Sequence, residues 1–336
     1  MKKSNLIWLL LFVIGTVAVL NRNSRKNIYH QDNGLVFGTV YKVTYQHTEN
    51  LKDEIVAELK RFDGSLSPFN DTSVITKVNR NEPVKMDAFF RTCVSRSLEI
   101  SKATDGAFDI TVAPLVNAWG FGFKKGAFPD SARVDSMMQF VGYQRIHLEG
   151  DSVVKDDPRV MLNCSAVAKG FAVDVIASLL EKNGVKNFLV DIGGEIVAKG
   201  LNPDKIGWRI GINKPVDDSL SVNQEIGQIL EIRDKGLATS GNYRNFYYKD
   251  GVKYAHTIHP KTGFPIQQTV LSATVIADDC MTADAYATAF MVMSLEQAKE
   301  FVKTNHEVEV YLIYNAEDGK YGTFYTEGMK KYIRRK

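Results

Sequence analysis

From Asn187 to Ala277 the sequence supplies strands without helices between them, and this constrains the fold more than any other feature of the chain. Short apolar runs at Asn187–Ile192, Trp208–Ile212, Ile229–Ile232 and Ser272–Ala277 read as strands. A parallel sheet needs a long crossover, usually a helix, between neighbouring strands. Strands that come in clusters therefore argue against a doubly wound parallel sheet and for an α+β fold. Helical spacing occurs elsewhere: at Leu51–Phe62, at Asp87–Ala103 with Asp87 as N-cap and Gly106 just past the end, and at Ala168–Lys182, closed by Asn183-Gly184. Further helices are expected at Met281–Met293 and Leu295–Asn305, and strands at Gly38–Tyr45, Val308–Tyr314 and Tyr321–Tyr325. There is no internal repeat and no linker within residues 34–330, which read as one unit of at most two lobes.

The 336 residues are 44% hydrophobic and 24% charged, enough to bury a large core. The formal charge is +3, but residues 1–33 carry +4 of it (Lys2, Lys3, Arg22, Arg25 and Lys26 against Asp32), which leaves the body at −1. A near-neutral body without a basic stripe excludes a nucleic-acid binder. The uncharged apolar run Leu6–Leu20 follows two lysines and precedes a polar stretch, the pattern of a secretory signal. Ala18-Val19-Leu20 is a poor cleavage site, so the expectation is an uncleaved signal anchor and a polar linker reaching Asn33. This puts the protein at the cell inner membrane, with its body on the periplasmic side. Cys93, Cys164 and Cys280 are odd in number and show no CxxC spacing, which argues against a disulfide framework or a zinc site.

Neither the P-loop nor the dinucleotide glycine signature is present. Three other segments can carry chemistry. Gly106-Ala107-Phe108-Asp109-Ile110-Thr111, with Trp119-Gly120-Phe121-Gly122 downstream, sets aromatics in glycine-bounded turns beside a carboxylate. Such turns suit the walls of a planar ring, and equally a buried loop. Asn163 to Asp174 reads as a strand entering a helix through small residues, a start that presents N–H groups and Lys169 to an anion; ordinary packing with Lys169 in water explains it too. Asp284 and Thr288, four apart, share a helix face and are hard oxygen donors of the kind Mg²⁺ takes, although a solvated face has the same spacing. His256 and His259 lack a recognisable third zinc ligand, and Gly193-Gly194 suits either a close approach to a cofactor or a turn.

Taken together and in order, Gly-x-Phe-Asp-x-Thr-x-x-Pro-Leu, Ala-Lys-Gly-Phe-Ala-x-Asp, Thr239-Ser240-Gly241, His-x-x-x-Pro-x-Thr-Gly and Ala-Asp-x-x-x-Thr resemble the ApbE family of FAD:protein FMN transferases over about 34–324. The resemblance implies a two-lobed fold with mixed or antiparallel sheets and an FAD cleft between the lobes. It implies FMN transfer from FAD to a Thr or Ser hydroxyl of an exported or membrane flavoprotein, with Mg²⁺ bound and AMP released. An exported FAD pyrophosphatase or a non-catalytic flavin binder is the alternative. Carried over by motif, Mg²⁺ falls to the Ala166 carbonyl, Asp284 and Thr288; FAD to Phe37, Phe69, Asn79, Ala107, Phe108, Asp109, Asn163, Lys169 and Ile258; and the reacting phosphate lies beside His256, the residue type suited to act as base. Three positions depart from the pattern: Phe37 replaces the usual Met, Asn163 a common Asp and His259 a frequent Asp.

Overall fold

The structure, a computed structural model, describes residues 12–13, 28–123, 128–215, 225–242, 246–249, 252–267, 269–316 and 320–334. The expected anchor lies outside these residues apart from Phe12 and Val13; among the described residues no helix is long and apolar enough to cross a membrane. In chain order the elements are β1 (Tyr29–Val36), β2 (Thr39–Gln46), α1 (Lys52–Leu66), α2 (Val74–Asn79), α3 (Ala88–Ala103), α4 (Ala113–Ala118), α5 (Ser131–Met138), β3 (Ile146–Glu149), β4 (Ser152–Lys155) and α6 (Ala168–Lys182). Then come β5 (Phe188–Ile192), β6 (Glu195–Lys199), β7 (Trp208–Asn213), β8 (Ile226–Ile232), β9 (Lys235–Gly241), β10 (Phe246–Lys249), β11 (Val252–Ala255) and β12 (Val270–Ala277). The chain closes with α7 (Cys280–Val292), α8 (Leu295–Thr304), β13 (Glu309–Asn315), β14 (Tyr321–Tyr325) and β15 (Ile333–Arg334).

Eight strands form one sheet in the order β1-β2-β5-β6-β9-β12-β13-β14, and every neighbouring pair is antiparallel. The α+β expectation holds, and the sheets are antiparallel rather than mixed. Side chains alternate across a strand, so Tyr41, Val43 and Tyr45 of β2 and Phe188, Val190 and Ile192 of β5 enter the main core with helices α1, α3, α6 and α7. The opposite face, through Ile196, Leu237, Ile276 and Ile313, packs on Trp208, Ile212, Leu230 and Ile232 of the small sheet β15-β8-β7. A third cluster, Leu115, Trp119, Val134, Val141 and Ile258, sits apart beneath the loop segments.

Two expectations fail locally. Tyr29–Asn33, assigned from sequence to the linker, is strand, paired in register with β2. Its residues are polar because β1 is an edge strand held by backbone pairing, and the buried Asp32 carboxylate accepts a 2.8 Å hydrogen bond from the Tyr45 hydroxyl. Where a strand was expected to enter the helix within Asn163–Asp174, the chain makes a turn before α6: Asn163 Oδ1 accepts from the Ser165 N–H, and the Val167 and Ala168 N–H groups both donate to the Cys164 carbonyl.

Candidate active site

A cavity of about 470 Å³ opens between the main core and the Leu115–Trp119–Ile258 cluster. That volume is in the range of small-molecule sites. One wall comes from the sheet and its two central helices: Gly193, Glu195, Thr239, Ser240 and Gly241 with Lys169, Asp284 and Thr288. The other comes from Phe69, residues 107–110, Phe121 and His256 to Ile258.

The first wall depends on how α7 is seated. Every residue of α7 is buried except Thr288, whose exposure is onto the cavity. Its N-terminus is held between two glycines. A Cβ on Gly170 of α6 would lie 2.4 Å from the Cys280 carbonyl oxygen, and one on Gly236 of β9 would lie 2.4 Å from the Cys280 nitrogen. Two carboxylates then satisfy the first-turn N–H groups, which have no partner within a helix. Asp174 accepts from Cys280 and Met281, both at 2.8 Å, and Asp279 caps Thr282 at 2.7 Å. Burial pushes the Asp174 carboxyl up to about 8. Gly170 and Asp174 are four apart and both face α7, which explains the spacing of the Ala-Lys-Gly-Phe-Ala-x-Asp segment. Lys169, one residue earlier, turns to the cavity.

On this wall the charges are concentrated. Asp284 is 3% exposed; its Oδ2 accepts from the Gly170 N–H at 3.0 Å, and burial raises its pKa against the pull of Lys169. The Lys169 ammonium hydrogen-bonds Glu195 Oε1. Burial works to lower its pKa, but the Glu195 and Asp284 carboxylates outweigh that and hold it above the usual lysine value. Glu195 is pushed up to about 7 by burial, with Lys169 opposing. Two buried acids thus share one lysine, and the wall favours a further positive charge. Among the described residues no group of three or more His, Cys, Asp and Glu is arranged to hold a metal. A cation here would rest on one carboxylate, the Thr288 hydroxyl and the Ala166 carbonyl, and that hard-oxygen set suits Mg²⁺, which keeps waters and takes substrate phosphates.

In the second wall Asp109 has its own structural work. Oδ1 accepts from the Thr111 N–H and hydroxyl at 2.8 and 2.7 Å, and Oδ2 from the Tyr143 N–H at 2.7 Å. Burial nonetheless raises its pKa. The carboxylate thereby fixes the turn that brings Ala107 and Phe108 to the cavity. Trp119 does not line the cavity; its indole N–H donates to the Gly263 carbonyl at 2.8 Å and so ties the α4 end to the His256–Gly263 segment. Ile258 bridges to Pro265, and the His256 ring meets Phe121 edge-on at 6.4 Å.

Of the residues named from sequence, Phe69, Ala107, Phe108, Asp109, Asn163, Ala166, Lys169, His256, Ile258, Asp284 and Thr288 all line this one cavity. Phe37 and Asn79 do not. Phe37 sits at φ 50° in the β1–β2 turn against Phe62, with ring centres 5.6 Å apart. Asn79 pairs its amide with both the N–H and the carbonyl of Leu162, at 2.7 and 2.9 Å, and supports the turn before Asn163. Sequence reasoning missed Glu195 as a site residue, since a glutamate just after a glycine turn reads as solvated; its only signal was the adjoining Gly193-Gly194.

Comparison with known proteins identifies the family. The ApbE family model matches residues 37–312, nearly the whole described body. This chain belongs to the ApbE family. The FAD:protein FMN transferase of Vibrio cholerae serotype O1 is 37% identical over 297 residues, covering 85% of this chain and 87% of that one. The Escherichia coli K12 protein of the same name is 33% identical over 314 residues, covering 89% and 88%. Among solved structures, the flavin transferase ApbE from Vibrio cholerae superposes with a TM-score of 0.81 at 35% identity, over 91% of this chain and all of that one. The apo flavinyl transferase ApbE of Pseudomonas stutzeri gives 0.80 at 30% identity, over 91% and 97%.

Proposed function

We propose that this protein is a FAD:protein FMN transferase that moves FMN from FAD to a Thr or Ser hydroxyl of a partner protein and releases AMP. The observation that carries the reading is the cavity itself, which Lys169, Asp284 and Thr288 line together with Phe108 and Phe121. That combination serves both a charged pyrophosphate and an apolar ring. In the reaction the partner's hydroxyl oxygen bonds to the FMN-side phosphorus as the bond to the AMP phosphate oxygen breaks, and AMP departs with that oxygen. His256, an imidazole on the cavity wall, takes the hydroxyl proton. Lys169, held cationic by its two carboxylates, offsets charge on the phosphates. Mg²⁺, held by Ala166, Asp284 and Thr288, would supply further neutralisation of the pyrophosphate.

The apolar N-terminal run supports an anchor in the inner membrane, and so an acceptor that is itself an exported or membrane flavoprotein. The test is in-gel flavin fluorescence after denaturing electrophoresis of membranes from cells carrying wild-type protein or Asp284→Asn. The wild type should give a fluorescent acceptor band, and the variant should lose it. FAD cleaved to FMN and AMP with no labelled band would replace transfer by hydrolysis.

A further inference from the structure

Glu195 opens β6 directly after the Gly193-Gly194 turn, whose two residues take φ of 67° and 104°. The turn delivers the side chain inward, to 5% exposure, on the cavity wall. Its two oxygens differ. Oε1 takes the Lys169 ammonium, while Oε2 is buried and has no hydrogen-bond partner on any other residue. A buried carboxylate oxygen without a donor is costly to keep, and a carboxylate is an acceptor only. In the ionised form that the neighbouring Lys169 ammonium favours, the ligand group that completes it must therefore donate a hydrogen bond. A phosphate oxygen does not, and would be repelled. A hydroxyl does, and it is uncharged.

We propose that Glu195 is a hydroxyl-recognising and positioning residue of this site: Oε1 fixes Lys169, and Oε2 accepts a hydrogen bond from a substrate hydroxyl. This rests on the flavin-transfer reading, which supplies two hydroxyl sources, the ribityl chain of the flavin and the incoming protein side chain. The division of labour is physical. Lys169 turned towards Glu195 is oriented for an anion, and Glu195 beside it selects the neutral neighbour of that anion.

Glu195→Gln keeps the shape. Lys169 can only donate, so it retains the oxygen of the new amide and leaves an NH₂ where the acceptor stood. Glu195→Met, equally long, removes both contacts and guards against a misleading amide rotamer. The measurements are the dissociation constants for FAD, FMN and ADP by flavin fluorescence or calorimetry in Mg²⁺ buffer, and the fluorescent acceptor band in membranes. Thermal unfolding verifies that each variant is folded.

If Oε2 holds a ribityl hydroxyl, Glu195→Gln, which keeps Lys169 in place, binds FAD and FMN about tenfold or more weaker and leaves ADP unaffected, while Glu195→Met, which also frees Lys169 from its partner, weakens all three. If it holds the incoming hydroxyl, flavin affinities of Glu195→Gln stay within twofold and labelling of the acceptor falls about tenfold or more. Unchanged affinities and unchanged labelling in both variants overturn the proposal. So does a defect that raised Mg²⁺ alone restores, because Oε2 would then serve the cation. A wild-type protein that binds no flavin would overturn the flavin reading instead.

Discussion

Gly170→Ala tests the seating of α7. The added Cβ would lie 2.4 Å from the Cys280 carbonyl oxygen and 2.8 Å from Asp284 Cβ. Comfortable separations are about 3.5 Å or more, so α6 and α7 must part by roughly 1 Å in a close-packed core. Overpacking of this kind costs about 1–3 kcal/mol, at the upper end here because the obstacle is backbone. Helix propensity returns about 1 kcal/mol on replacing Gly by Ala, so the net loss is about 1–2 kcal/mol. The same shift stretches the 3.0 Å bond from the Gly170 N–H to Asp284 and moves Asp284 from its place on the cavity wall. Gly64 is the control. It lies inside α1, and a Cβ there meets nothing within 4 Å, so Gly64→Ala should stabilise by about 0.5–1 kcal/mol. Urea unfolding followed by circular dichroism reads both variants, and FAD titration reads the site. Opposite signs are expected, with weaker FAD binding in Gly170→Ala only. A Gly170→Ala protein as stable as wild type would refute the requirement for a glycine at this crossing.

Three further expectations concern the base, the buried acid and the N-terminus. With FAD and acceptor saturating, the transfer rate should fall below the pKa of His256 in the enzyme–substrate complex, and His256→Gln should remove that acidic limb; a limb retained in the variant rules out His256 as the base. Glu195 titrates near 7 in the folded protein against about 4.5 when unfolded, so its stabilising contribution is complete below about 4.5 and is lost as the pH rises through 7. Wild type should accordingly lose more stability than Glu195→Gln between pH 5 and pH 8 in ligand-free urea titrations, and parallel profiles would contradict a burial-raised carboxyl. Deleting residues 1–24 spares β1, which begins at Tyr29. The truncated protein should be soluble and bind FAD while the full chain sediments with membranes, and a full chain recovered in the soluble fraction would exclude the anchor.

The strand-rich stretch, the absence of a regular alternation and the motif order were enough to reach an α+β fold and the ApbE family, because hydrophobic period and local turn chemistry are properties of neighbouring residues. The i, i+4 spacing alone likewise put Asp284 and Thr288 on one helical face. Long-range pairing was not legible. β1 is polar because its partner is backbone, and β9 is built of small residues because α7 lies against it, so neither carries a pattern that can be read along the chain. Asn79 was assigned to the ligand by motif, yet its amide is spent on Leu162, 83 positions away in sequence; Asp109 lines the cavity while its carboxylate also holds the Thr111 and Tyr143 N–H groups. Glu195 is the reverse case: nothing along the chain singled it out, and it is a buried acid on the cavity wall. Sequence alone determined the residue types the site would use; the tertiary structure decided which of them face the cavity, because burial, shared charge and an unfilled hydrogen-bonding position arise only when segments distant in the chain are brought together.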